Sequence, residues 1–352
     1  MRARLHFRSR ALGLAAATLL LTALGACLLL SRSGHFSFTP PIAHQASFAA
    51  NTANYPTRLS VAGSQLLNAG GQTVVLKGLM PPDPAVLNSR GKFNRAFVQA
   101  LRATGANVIR IPIHPERWEQ YPDYLWRYLD PVVRWSGELG LYVILDLHFI
   151  GNVATGAGSQ MPDLHAPSKD FTLAFWRQTA SYFRAAPNVI FEIVNEPESI
   201  SPAVWRQTAG EIAGAIRAAG ATQLIVVGGV DYARDLSWVA AQPVAGENIA
   251  YATHIYPAHA AASWEGWFGQ VSKSHSVLVT EWGWLEAAPD SQSAYLVGSA
   301  GSYGQPLLDY LDRRQMGWVA CWYDDEWLPA MFQKGSQELT SYGAFVQARL
   351  AR

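Results

Sequence analysis

The sequence predicts an α/β chain folded as a (β/α)8 TIM barrel with a short N-terminal β-hairpin. Three observations carry that expectation. From Tyr55 onward, short β-runs alternate with amphipathic stretches with no break in composition. The runs are near-continuous in Val, Ile and Leu, the pattern of parallel strands covered on both faces. There are eight of them, whereas an open doubly wound sheet needs about five or six.

In order, Arg58-Leu59-Ser60-Val61 and Gln65-Leu66-Leu67-Asn68 flank Gly63-Ser64 and read as the hairpin, and Ala69-Gly70-Gly71 turns the chain into the first long strand. Strands are expected over Thr73–Gly78, Asn107–Ile113, Leu141–Leu147, Val189–Asn195, Gln223–Gly228, Ile249–Thr253, Val277–Glu281 and Gly317–Trp322. Helices are expected over Arg95–Thr104, Tyr124–Gly140, Lys169–Ala186, Pro202–Ala219, Ala233–Ala240, Trp264–Ser274, Gln305–Arg314 and Leu339–Leu350. Residues 151–167 form a long Gly/Ser-rich loop sited to wall a cleft.

What precedes the barrel reads as a targeting device. Arg2, Arg4, Arg8 and Arg10 lead into the uncharged stretch Ala11 to Leu30, long enough to span a bilayer with its start held in the cytoplasm. Residues 1–31 are therefore expected to be a signal peptide or a signal-anchor transmembrane segment, with the retained anchor as the leading form. Cleavage after the small residues near Ala23-Leu24-Gly25, or lipid attachment at Cys27, are the alternatives. Residues 32–54 are expected to be a flexible tether, and 55–352 a single domain, expected to be a monomer, facing the periplasm or exterior, or secreted if the leader is cleaved.

Composition narrows the chemistry. Five arginines and no acidic residue fall before residue 50, leaving 22 of the 27 Lys+Arg against 26 Asp+Glu. A mildly acidic body offers no basic stripe for nucleic acid and points to a neutral partner. Two cysteines, Cys27 and Cys321, exclude a disulfide framework. Neither metal nor cofactor is expected, because His114, His148, His165 and His254 lack metal-ligand spacing.

In a parallel barrel the functional groups sit at the C-terminal strand ends. Here those ends carry Arg110-Ile111-Pro112-Ile113-His114, Asp146-Leu147-His148, Asn195-Glu196-Pro197, His254-Ile255-Tyr256-Pro257, Glu281-Trp282-Gly283-Trp284 and Trp322-Tyr323. Singly, each residue has a plainer explanation. Glu196 suits a helix start, Arg110 an internal ion pair, and His148, His254 and Trp322 an ordinary core. Together, at six strand ends, they suit one site.

With its lead-in Leu59-Ser60-Val61 and Val74-Val75-Leu76-Lys77-Gly78-Leu79, this set resembles glycoside hydrolase family 5, from about Arg58 to the C-terminus. The resemblance implies a retaining endo-β-glycanase of cellulase type, acting on a β-1,4-linked glucan, with mannan or another β-glucan as the alternative. It implies Glu196 as acid/base and Glu281 as nucleophile. It also implies that Asn195 binds the sugar, that Arg110 and Tyr256 flank the nucleophile, that His148 and His254 line the cleft, and that Trp322 is a stacking platform. A non-catalytic glycan-binding protein on the same scaffold is the rival.

The chemistry asks for the same neighbours. A nucleophile must stay ionised, so a guanidinium and a phenol should hold it. An acid/base must keep a proton near neutrality, so burial or a like charge should raise its pKa. Trp264, Trp267, Trp282, Trp284 and Trp327 are expected near the cleft, and Trp118, Trp126, Trp135, Trp176 and Trp205 in packing. Asp324, Asp325 and Glu326 are left between a sugar contact and a loop cap.

Overall fold

The computed structural model describes residues 46–158, 164 and 166–351. The hairpin forms from β1 (Ser60–Ala62) and β2 (Gln65–Leu67), paired antiparallel. After it come β3 (Lys77–Met80), α1 (Pro84–Ser89), α2 (Arg95–Ala103), β4 (Val108–Ile113), α3 (Pro115–Gln120), α4 (Asp130–Glu138) and β5 (Tyr142–Leu147). Next are the short β6 (Ile150–Asn152) and β7 (Ala157–Gly158), α5 (Lys169–Phe183), β8 (Val189–Glu192), β9 (Glu196–Pro197), α6 (Pro202–Ala218) and β10 (Ile225–Gly228). The chain closes with β11 (Ile249–Ile255), α7 (Ala261–Trp264), β12 (Val277–Trp282), α8 (Gln305–Asp312), β13 (Gly317–Cys321) and α9 (Ser341–Leu350).

Eight of the strands close into a parallel barrel in the order β10-β11-β12-β13-β3-β4-β5-β8. β4, β5 and β12 are buried along their whole length, which is why their sequences read as unbroken apolar runs. Closure brings backbones close at Gly78, where a Cβ would lie 1.9 Å from the Val108 carbonyl oxygen. The helices start on side-chain caps: Ser168, Ser201 and Thr340 each accept from a backbone N–H of the first turn of α5, α6 and α9.

Several expectations need correction. The first barrel strand lies at Lys77–Met80 rather than Thr73–Gly78, because its ladder with β13 runs from Lys77 to Met80 while Thr73 only bridges back to Leu67. No helix forms at 233–240. There Asp231, Tyr232 and Ala233 take left-handed backbone angles, and the segment is tied by Leu236 N–H to the Trp267 carbonyl. The long helix expected over Tyr124–Gly140 divides into a π-helical turn, Leu125–Leu129, and α4, with Pro131 in the first turn of α4. Trp264–Ser274 is likewise broken into α7, a π-turn and a 3-10 turn. The expected tether does not hold for residues 46–54. Phe48 is buried, its N–H donates to the Tyr182 carbonyl at 2.9 Å, and Arg134 stacks on its ring 4.7 Å from the centroid. The leader, Cys27 and the rest of the tether lie outside the described residues, as does His165. Among the described residues no helix is long and apolar enough to cross a membrane.

Candidate active site

Arg110, at the middle of β4, is fully buried and gathers the centre of the site. Its Nε donates to Glu192 Oε2 at 2.6 Å, its Nη1 to Glu281 Oε1 at 2.7 Å, and its Nη2 to Asn195 Oδ1 at 2.9 Å, with Asp146 Oδ2 at 3.1 Å. Three carboxylates around one guanidinium leave an excess of negative charge in a dry interior, and the cost appears as bound protons. Burial, with the neighbouring Glu281 adding to it and Arg110 opposing, pushes the Asp146 carboxyl up to about 7. Burial, opposed by Arg110 and reinforced by Asp146, pushes Glu192 up to about 7.

Glu281, near the end of β12, has both oxygens held. Oε1 takes the Arg110 bond, and Oε2 accepts from the Tyr256 hydroxyl at 2.8 Å. Burial, with Cys321 and Glu281 adding to it, raises the phenol of Tyr256 well above its ordinary value, so it remains a donor.

Glu196 stands in a different setting. Its backbone is fixed by pairing of β9 with β6, where Ile150 opposes Glu196, and its N–H donates to the Phe149 carbonyl at 3.1 Å. Burial first, and the negative charge of Glu281 second, hold its carboxyl well above the usual range. Its Oε1 lies 2.8 Å from His254 Nδ1, and His254 Nε2 lies 3.1 Å from the Thr280 hydroxyl, which donates to Glu192 Oε1 at 2.7 Å. Burial and then Arg110 push His254 well down, so the ring is neutral. The single Thr280 proton is spent on Glu192, so the network assigns the His254 proton to Nε2 and leaves the Nδ1 lone pair facing a protonated Glu196.

One carboxylate oxygen of Glu196, one of Glu281 and a ring nitrogen of His254 all lie within 4.8 Å of one another. By distance this set could hold a metal ion, but Arg110 at 2.7 Å already supplies the positive charge beside Glu281.

These groups open into a cleft of about 930 Å³ lined by His148, Asn195, Glu196, Tyr256, Glu281 and Trp322, among others. His148 is fixed by Asp146 Oδ2 at 2.6 Å from its Nδ1, and its ring meets the edge of Trp322 with centroids 5.8 Å apart. Six of the eight expected site residues thus line the cleft. Arg110 and His254 stand behind it, touching the two glutamates.

The remaining aromatics sort differently from expectation. Trp264, Trp282 and Trp284 are buried in the core, whereas Trp327 lines the cleft and packs edge-on to Trp322 at 4.8 Å. The acidic run after β13 fixes a loop rather than facing the cleft. Arg90 pairs with Asp324 and Glu326, Lys92 with Asp325, and Asp324 caps the Trp327 N–H at 2.9 Å.

Sequence reasoning missed Asp146, Glu192, Thr280, Tyr232, Arg234, His259 and Tyr295. The first carried a signal: Asp146 precedes His148 by two, so period-two alternation places both on one face of the strand line. Tyr232, Arg234 and His259 sit on loops and Tyr295 in the 3-10 turn Ala294–Leu296, where no strand period operates.

The match to a family model described as cellulase, glycosyl hydrolase family 5, spans residues 67–325. The chain is 26% identical over 326 residues to an endoglucanase of Clostridium saccharobutylicum, covering 85% of this chain and 66% of that protein. It is 26% identical over 295 residues to endoglucanase E-5 of Thermobifida fusca, covering 79% of this chain and 58% of that one. It therefore spans about half to two thirds of the length of the curated relatives it matches. Among solved structures, a β-glucanase from Saccharophagus degradans superposes with a TM-score of 0.82 at 27% identity, over 88% of this chain and 98% of that one. That β-glucanase has also been solved in complex with cellotetraose. With the barrel closed, the strand-end residues gathered and the family model covering most of the domain, the chain belongs to glycosyl hydrolase family 5, the cellulase family.

Proposed function

We propose that the protein is a retaining endo-β-1,4-glucanase, with Glu281 as nucleophile and Glu196 as acid/base. The observation that carries this reading is the contrast between two carboxyls within 4.8 Å of each other. One is held by a guanidinium and a phenol, and the other is buried and proton-bearing. That spacing suits retention, for which carboxyls stand about 5–5.5 Å apart, and leaves no room for the water of an inverting enzyme at about 6.5–9.5 Å.

The steps follow from the geometry. Glu281 Oε attacks the anomeric carbon while Glu196 gives its proton to the departing glycosidic oxygen. Ester formation removes the charge of Glu281, and with it the repulsion that raised Glu196. Glu196 then takes a proton from water, whose oxygen attacks the anomeric carbon and releases Glu281. Asn195, held by Arg110 Nη2, faces the cleft as a hydrogen-bond partner for a sugar hydroxyl, and Trp322 offers an apolar ring face to the pyranose. A β-glucan substrate is supported by the endoglucanase relatives and by the cellotetraose complex of the S. degradans enzyme. No step requires a cofactor. The arginine-led apolar segment at residues 11–30 supports an exported, membrane-tethered protein.

Reducing-sugar release from carboxymethylcellulose, mixed-linkage glucan, glucomannan and xylan tests the reading. Activity on a β-glucan that disappears in Glu196→Ala and Glu281→Ala is the expected result. Activity confined to glucomannan would reassign the substrate, and binding without turnover would make the protein a glycan-binding scaffold.

A further inference from the structure

The net charge of the body conceals a segregation between the two ends of the barrel. The cleft opens at the C-terminal strand ends. There Glu198, Asp235, Glu286 and Asp290 stand on the loops after β9, β10 and β12 with no basic partner among the described residues. The opposite end, where the helices hand the chain back to the strands, carries arginines. Arg102 lies in the last turn of α2, Arg184 and Arg217 end α5 and α6, and Arg313 follows α8. The hairpin lies across this floor: Asn248, just before β11, accepts the Val61 N–H at 2.9 Å and donates to the Leu59 carbonyl at 3.0 Å.

Three of the arginines on this side meet where the hairpin joins the floor. Arg58, leading into β1, donates from Nη2 to the Arg184 carbonyl at 2.9 Å and from Nη1 to the Thr222 hydroxyl. Arg217 donates from Nη1 to the Ala221 carbonyl at 3.0 Å and from Nη2 to the Glu247 carbonyl at 2.9 Å. Arg184 is exposed and bonds to Ser181 of its own helix, Nη1 to the carbonyl at 2.8 Å. Neutral oxygens thus hold all three guanidiniums, and the acidic residue alongside is Glu247, next to Arg217. Like charges gathered with so little opposing charge leave a surface of positive potential.

The chain enters the domain at the same place. Phe48 N–H donates to the carbonyl of Tyr182, in the last turn of α5 and two residues before Arg184, at 2.9 Å. Residues 31–45 separate that region from the apolar stretch 11–30; they include Arg32 and no acidic residue, and fully extended they reach at most about 50 Å. A link of that reach does not by its length fix which face of the domain meets a bilayer, so charge decides. The floor is basic and the cleft rim acidic, and an anionic headgroup layer attracts the first and repels the second.

We propose that Arg58, Arg184 and Arg217, with Arg102 and Arg313 on the same side, form a docking face for anionic phospholipid headgroups, which seats the barrel on its floor and turns the cleft away from the membrane. Each arginine near such a surface is worth about a fivefold gain in partition, and the three together on the order of a hundredfold. A glycan too long to pass between domain and bilayer thus reaches Glu196 and Glu281 from the free side. This orientation rests on the exported, tethered reading of residues 1–31 and makes no use of which glycan is cut.

The test uses the full chain in vesicles of phosphatidylcholine alone or of an equal mixture with phosphatidylglycerol. A donor fluorophore on Ala185→Cys at the floor, or on Ser291→Cys at the cleft rim, reports energy transfer to a headgroup-labelled lipid; both carry Cys27→Ser, and Cys321 is buried. On the anionic mixture the floor position should transfer more strongly than the rim position. The difference should vanish on phosphatidylcholine, at about 1 M salt, where the screening length falls to about 3 Å, and in the triple variant Arg58→Gln, Arg184→Gln, Arg217→Gln. Arg184→Glu, which reverses one exposed charge, should weaken docking on the order of tenfold, with turnover of a soluble oligosaccharide unchanged. Equal transfer from the two positions on the anionic mixture, or a difference that survives on phosphatidylcholine or in the triple variant, would overturn the docking face. A chain that co-floats with neither kind of vesicle would sink the tether reading and the orientation with it. One that co-floats with the anionic mixture alone, and less in Arg184→Glu, would sink the tether and keep the face.

Discussion

Arg110 holds Glu281 in a buried ion pair, Nη1 to Oε1 at 2.7 Å, and the same guanidinium is the partner of Glu192 and Asp146. One cation therefore fixes the proposed nucleophile and governs the protonation of two further acids. Arg110→Leu would strand those carboxylates in the interior. Breaking a buried pair by removing one partner costs about 3–5 kcal/mol, so urea unfolding should show a loss of that size together with loss of turnover. Arg110→Lys should also be impaired, because a point charge cannot replace three directed bonds. An Arg110→Leu protein as stable as wild type would contradict the network.

Stability should fall as pH rises through neutrality. Asp146 and Glu192 are both pushed up to about 7, above ordinary carboxyl values near 4, so between those limits the folded state binds more protons than the unfolded chain. Stability from these groups is fully present below about pH 4 and is lost as pH passes about 7. Tm measured in matched buffers should decline from pH 5.5 to pH 8, and Glu192→Gln should flatten the decline. A Tm that rises across this window would refute the assignment.

Glu196 owes part of its raised pKa to the charge of Glu281. Glu281→Gln removes that charge and should lower the Glu196 carboxyl pKa, which infrared titration of the carboxyl band against Glu196→Gln reads directly. An unchanged pKa would mean that burial alone does the work.

Gly78 tests the register of the first barrel strand. A Cβ there would meet the Val108 carbonyl oxygen at 1.9 Å, so Gly78→Ala should cost about 3 kcal/mol or more in denaturant unfolding, at the upper end of overpacking. A near-neutral substitution would place β3 elsewhere.

Much of this molecule is legible in its sequence, and the limits have physical causes. β4, β5 and β12 are buried on both faces, so their apolar runs announce them within a residue or two. β3 starts four residues later than expected because Val74-Val75-Leu76 is as apolar as a strand, yet Val74 bonds back to Leu66 of the hairpin and Val75 accepts only from the Asn107 side chain, so the ladder begins at Lys77. The two glutamates, Asn195, Tyr256 and Trp322 were readable because a strand end is a fixed address in a barrel. Arg234 and His259 were not, since loops carry no period. Trp282 and Trp284 show the converse error: they follow Glu281 closely, yet alternation turns them into the core against Trp318 and Tyr342. Asp324, Asp325 and Glu326 could be settled only by their partners Arg90 and Lys92, more than 200 residues away in sequence.

The most direct test of the proposed chemistry is to trap the glycosyl-enzyme with a 2-deoxy-2-fluoro-β-cellobioside bearing a good leaving group, then map the modified peptide by mass spectrometry. The geometry predicts one covalent glycosyl group on Glu281, and none in Glu281→Gln. A label on Glu196, or inversion of the anomeric centre during turnover with no trapped intermediate, would contradict it.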